Sequence, residues 1–131
     1  MSTIEAVRRA NKFSDPSRAI AIAKAFLATN PSKALERFEA LIVLAKNLVG
    51  RNTTEDLNQA LRTADEARAL LPKRAITVGV VDAEMFAIAA LNRLGNASGR
   101  DVRLAELERA VESCSNPQVK QRLKLAKQSL L

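Results

Sequence analysis

Asp82 and Glu84 are the side chains of this sequence with the clearest capacity for chemistry. They interrupt its most apolar stretch, residues 75–90, where burial raises a carboxyl pKa or recruits a basic partner. A carboxylate tuned in that way serves as a general base or as an anchor for a basic peptide. Two residues apart on a helix, the pair point in different directions and cannot share one proton. A salt bridge inside the fold or an exposed edge is therefore the simpler reading of both. Cys114 is the one thiol, and the chain contains no His. The commonest general base and the commonest metal ligand are thus missing. With no group to activate it, Cys114 reads as a small buried hydrophobe. The run Gly95, Asn96, Ala97, Ser98, Gly99 has the look of a phosphate cradle, but it lacks the Lys that follows a P-loop and the strand that precedes one. It reads as a connector between helices. No catalytic residue, metal site or cofactor is expected.

Charge is the second candidate for function. The chain carries 21 Lys and Arg against 14 Asp and Glu, a net charge of +7. The excess gathers at the two ends, with Arg8 and Lys12 one turn apart near the start and Lys120, Lys124 and Lys127 on one face near the finish. Such patches could dock a nucleic acid or another polyanion, or they are solvated caps. Aromatic support for base stacking is thin: there is no Trp or Tyr, and only Phe13, Phe26, Phe38 and Phe86 are aromatic. Asp82 and Glu84 also make the 75–90 stretch a poor membrane span. A single Cys suits a reducing compartment, and the cytoplasm is the expected location.

These side chains must be positioned by helices. Start and stop signals divide the 131 residues into seven of them. Ser2 and Glu5 have capping-box spacing for the first. Asp15-Pro16, Asn30-Pro31 and Asn116-Pro117 combine a capping side chain with Pro at the first helical position, opening the second, third and seventh. Thr53 opens the fourth, the fifth follows Pro72, and the sixth follows Ser98-Gly99. Gly50 and Gly95 suit left-handed positions after helix ends. Apolar residues recur at helical spacing, as in Leu35, Phe38, Leu41, Ile42, Ala45 and Leu48. Residues 75–81 are rich in β-formers, but no second strand-like segment exists to pair with them. They read as part of a buried central helix.

The sequence also repeats. A shift of 45 residues places Gly50, Thr53, Asp56, Leu57, Ala60 and Pro72 on Gly95, Ser98, Asp101, Val102, Ala105 and Pro117. A two-helix unit of this length predicts an α-solenoid, each unit burying its apolar face against its neighbours.

In the second helix of each pair a small residue precedes a Pro by twelve positions: Ala19 and Pro31, Ala60 and Pro72, Ala105 and Pro117. Over residues 15–117 this resembles the tetratricopeptide repeat. The Trp, Leu-Gly and Tyr of that family's first helix are not here, and Arg109 and Glu112 stand at positions where it has apolar residues. The resemblance implies one domain, residues 1–131, of antiparallel helical hairpins (3–29, 32–71 and 73–115) stacked right-handedly. A capping helix at 117–131 closes it. It implies a non-catalytic module that receives a peptide or helix of another protein in a concave groove, or a second copy of the same chain. By helix phase, Glu39, Lys46, Asn47 and Arg93 are the polar residues expected in that groove. The alternative is polyanion binding through Arg8, Lys12, Lys120, Lys124 and Lys127.

Overall fold

A computed structural model describes residues 2–131 and contains seven α-helices and no strand among them. They are α1 (Ile4–Phe13), α2 (Pro16–Ala28), α3 (Ala34–Arg51), α4 (Thr54–Ala69), α5 (Val78–Arg93), α6 (Ala97–Glu112) and α7 (Pro117–Leu130). Asp15, Thr53 and Asn116 cap α2, α4 and α7, each side chain accepting from a backbone N–H of the first turn. These local signals work because the orphan amides of a first turn need an acceptor close by.

Other ends differ from expectation. Thr3, not Ser2, caps α1 by accepting from the Ala6 amide at 3.1 Å. Asn30 is left-handed (φ 56°), so Pro31 lies in the connection and α3 starts three residues later without a side-chain cap. Helix α5 does not follow Pro72 directly. It begins at Val78 behind Thr77, whose hydroxyl accepts from the Val80 amide at 3.2 Å. Asn96, rather than Ser98, caps α6 through the Gly99 amide at 2.9 Å.

The register of the fold also departs from the 45-residue shift. Gly50 lies inside α3, and the left-handed residue that ends this helix is Asn52 (φ 59°). Gly95 (φ 80°) does the same after α5. Counterparts now fall 43 residues apart, from Thr54 to Ala97 at the start of α4 and α6 and from Ala69 to Glu112 at their ends. A Cβ in the left-handed region costs roughly 1–2 kcal/mol, less for Asn, whose short polar side chain suits it. Asn52→Gly is therefore expected to stabilise the protein by about 0.5 kcal/mol and Asn52→Val to destabilise it by about 1 kcal/mol. Urea denaturation of the two variants checks this.

Helices pack only on neighbours one or two places along the chain. Each helix meets the next, and the odd-numbered series touches in order, α1 on α3, α3 on α5 and α5 on α7. The backbones of the even-numbered helices α2, α4 and α6 do not approach one another closely, although the Arg103 side chain of α6 reaches Asp65 of α4. Helix α5 is the most enclosed. Its Ala89 and Ala90 join a core with Val7, Ile20, Phe26, Leu44 and Leu48 of the preceding helices. Its Val81, Met85 and Ile88 join another with Leu107, Val111, Val119 and Leu123 of α6 and α7. Alanine on one side of α5 lets α3 and α4 come close, while larger side chains fill the wider space toward α6 and α7.

Candidate interaction groove

The two acidic residues of α5 meet different fates. Glu84 is drawn into a network with Arg103 of α6. The guanidinium donates from Nη2 to Glu84 Oε1 at 3.1 Å and to Asp65 Oδ1 of α4 at 2.7 Å, and from Nε to Glu84 Oε2 at 3.3 Å. Glu84 is thereby a tie between three helices. Asp82 faces the other way, toward the odd-numbered row. The Arg122 Nε of α7 stands 3.7 Å from its Oδ1, too far for a hydrogen bond.

Asp82 lies at one side of an open groove of about 390 Å³ crossing α1, α3 and α5. Leu35, Phe38, Ile42 and Val43 of α3 form its apolar surface, and Arg8, Asn11, Glu36 and Glu39 supply the polar rim. Leu35, in the first turn of α3, is 79% exposed, although residues 40–49 of the same helix are mostly buried. Helical spacing groups it with the apolar band of α3. The band is wide, and helix phase alone does not say which edge of it a neighbour will cover. Gly79 of α5 packs on Phe38: a Cβ there would lie 3.1 Å from two of its ring atoms, so glycine allows α5 to approach the ring.

The expected groove residues divide. Glu39 lines the groove, its two oxygens each accepting from Arg8 Nε at 2.8 Å. Lys46 is exposed beside it and donates to Asn11 Oδ1 at 3.3 Å. Asn47 does not belong there. It is buried, and its Nδ2 donates to the Val43 carbonyl of its own helix at 2.8 Å. Arg93 is also turned to another task, its Nη1 donating to the Val49 carbonyl at 2.7 Å. In that position it satisfies an orphan carbonyl in the last turn of α3, a structural use of the side chain.

The residues expected to meet a polyanion do not make one surface. Arg8 is held by Glu39 and by Glu5. Lys12 stands 5.8 Å over the ring of Phe13. Lys120, Lys124 and Lys127 line a separate groove between α6 and α7, where Glu108 and Glu112 occupy the same lining. Lys127 Nζ donates to Glu108 Oε2 at 2.8 Å. Carboxylates thus accompany the basic residues at both ends of the chain. Cys114 is partly buried against the α5–α7 core. Among the described residues no group of three or more His, Cys, Asp or Glu is arranged to hold a metal ion, and no helix is long and apolar enough to cross a membrane.

Burial raises the Asp82 carboxyl above its ordinary range, and the charge of Arg122 opposes this only in part. A carboxyl raised in the folded state binds protons more readily there than in the unfolded chain, so it lowers stability as pH rises through its folded pKa. Asp82→Asn removes that cost. The variant is expected to melt higher than the parent at pH 7, and the difference should shrink as pH falls toward the ordinary carboxylate range near ~4. Thermal melts of both proteins across this interval measure it.

No protein-family model, curated protein or solved structure matches the chain.

Proposed function

We propose that this protein is a non-catalytic interaction module, a short solenoid of tetratricopeptide-like helical hairpins that binds a peptide or helix of another protein. The observation that supports this reading is the packing asymmetry: odd-numbered helices touch in an unbroken row, while the backbones of the even-numbered helices stay apart and α4 and α6 meet through the Arg103–Asp65 side-chain pair. A stack whose helices are closer on one face bends toward that face. The odd-numbered row is then the concave side, and solenoids bind along such surfaces. The groove over Leu35, Phe38 and Ile42 lies on that side, with an apolar surface and a polar rim of the kind a helix or extended segment occupies. Glu84 is committed to Arg103, which argues against a role for it as a base. The lone Cys114 fits a reducing compartment such as the cytoplasm.

Selection of a random peptide display library on the immobilised protein tests this reading. Selected peptides are expected to shift the amide resonances of α1, α3 and the first turns of α5. Leu35→Ser and Ile42→Ser should each weaken them about tenfold, the effect expected of the few anchor side chains that carry most of an interface's binding energy. Selected peptides that perturb only other surfaces, or that ignore both substitutions, would rule the groove out.

A further inference from the structure

We infer that the groove crossing α1, α3 and α5 takes a protein segment in which a Lys or Arg side chain is flanked by apolar ones, the cation seated at Asp82. This rests on the groove reading above and specifies the chemistry of the occupant. Three carboxylates, Glu36, Glu39 and Asp82, line the groove with a single guanidinium, Arg8. Arg8 is already committed to Glu39 and Glu5. Glu36 stands 3.7 Å from Lys33 Nζ, whose side chain is largely in solvent, where such a pair contributes little. Asp82 accepts no hydrogen bond from any described residue, because Arg122 halts at 3.7 Å. Its oxygens therefore have room for a hydrogen-bond donor arriving through the groove, which would share them with the more distant Arg122. Burial already disfavours the bare carboxylate there, and an ammonium or guanidinium delivered by a ligand would relieve that cost. The apolar flank of the ligand is set by Leu35 and Phe38, which lie along the same groove.

The lining itself is acidic, three carboxylates to one guanidinium with Lys33 and Arg122 each 3.7 Å from one of them, whereas the molecule as a whole carries a net charge of +7. Long-range attraction would favour an acidic ligand, so a preference for a basic one can only come from the seat itself. That contrast makes the test sharp. Three fluorescein-labelled peptides of about 14 residues, long enough for an amphipathic helix, share identical Leu positions and carry Lys, Gln or Glu elsewhere. Anisotropy titrations use the full chain. The Lys peptide is expected to bind at least about tenfold more tightly than the Glu peptide. Asp82→Asn should weaken the Lys peptide about fivefold to tenfold and leave the Gln peptide unchanged, while Leu35→Ser weakens all three. Thermal melting of each variant verifies that it is folded. Equal or tighter binding of the Glu peptide, or a Lys peptide indifferent to Asp82→Asn, overturns the basic-ligand proposal while leaving the groove reading intact. Failure of every peptide to bind in a Leu35-dependent way overturns both. A Leu35-dependent dimer in sedimentation, with no peptide competing, assigns the groove to a second copy of the chain and also overturns the proposal.

Discussion

Ile88→Ala is expected to destabilise the protein by about 3–4 kcal/mol, within the usual range for truncating a buried Ile. Ile88 is fully buried between α5, α6 and α7, among Met85, Leu107, Val111, Val119 and Leu123. These neighbours come from three helices, and the cavity left by three lost carbon atoms cannot close without moving a helix. The spatial distribution of the loss is as informative as its size. The core on the other side of α5 uses Ala89 and Ala90 and does not include Ile88. In an array whose units meet only their neighbours, damage at one interface stays partly local. Native-state hydrogen exchange should therefore find the amides of α6 and α7 losing most of their protection, while those of α2 and α3 lose much less. An equal loss across all seven helices would show a single cooperative unit and argue against a solenoid.

The second large effect is expected at Arg103. Arg103→Ala should cost about 2–3 kcal/mol, below the 3–5 kcal/mol of a fully buried pair because solvent reaches part of this network. The guanidinium serves Asp65 on α4 and Glu84 on α5 from its own place on α6. Its removal strands Glu84, which is 18% exposed and has no other salt-bridge partner among the described residues. Burial works against the Arg103 charge, yet hydrogen bonds to Glu84 and Asp65 outweigh it and hold the side chain protonated. The penalty of the single substitution should shrink once the stranded carboxylate is also removed. Arg103→Met combined with Glu84→Gln is thus expected to recover more than half of the loss in chemical denaturation. Asp65 is half exposed, so Asp65→Ala alone should cost less than about 1 kcal/mol.

Legibility from the chain followed the range of the interaction. Asp15-Pro16, Thr53, Asn116-Pro117 and Gly95 were readable because a cap or a left-handed stop is settled by residues within one turn. The same rule misled at Asn30-Pro31, where Asn30 adopts the left-handed turn instead of capping. It also misled at Gly50, because α3 continues two residues farther before Asn52 ends it. The 45-residue match does not coincide with the helix ends, since those of α4 and α6 lie 43 residues apart. A repeat read from a handful of Gly, Ala and Pro positions cannot distinguish two such registers.

The site was legible only in part. Asp82 and Glu84 stood out as acids in an apolar helix, and their divergent directions followed from helix geometry. Which would be tied down and which left open depended on Arg103 and Arg122, 19 and 40 residues away. Lys46 and Glu39 reach the groove or its edge, whereas Asn47, one residue from Lys46, turns inward. Leu35 carried no distinguishing signal, because an exposed Leu and a core Leu look the same in a wide apolar band. Local sequence settled the helices and the starts of α2, α4 and α7, through hydrogen bonds that close within a turn. Which faces those helices bury, and which acid is left open to a ligand, arose from packing between segments far apart in the chain.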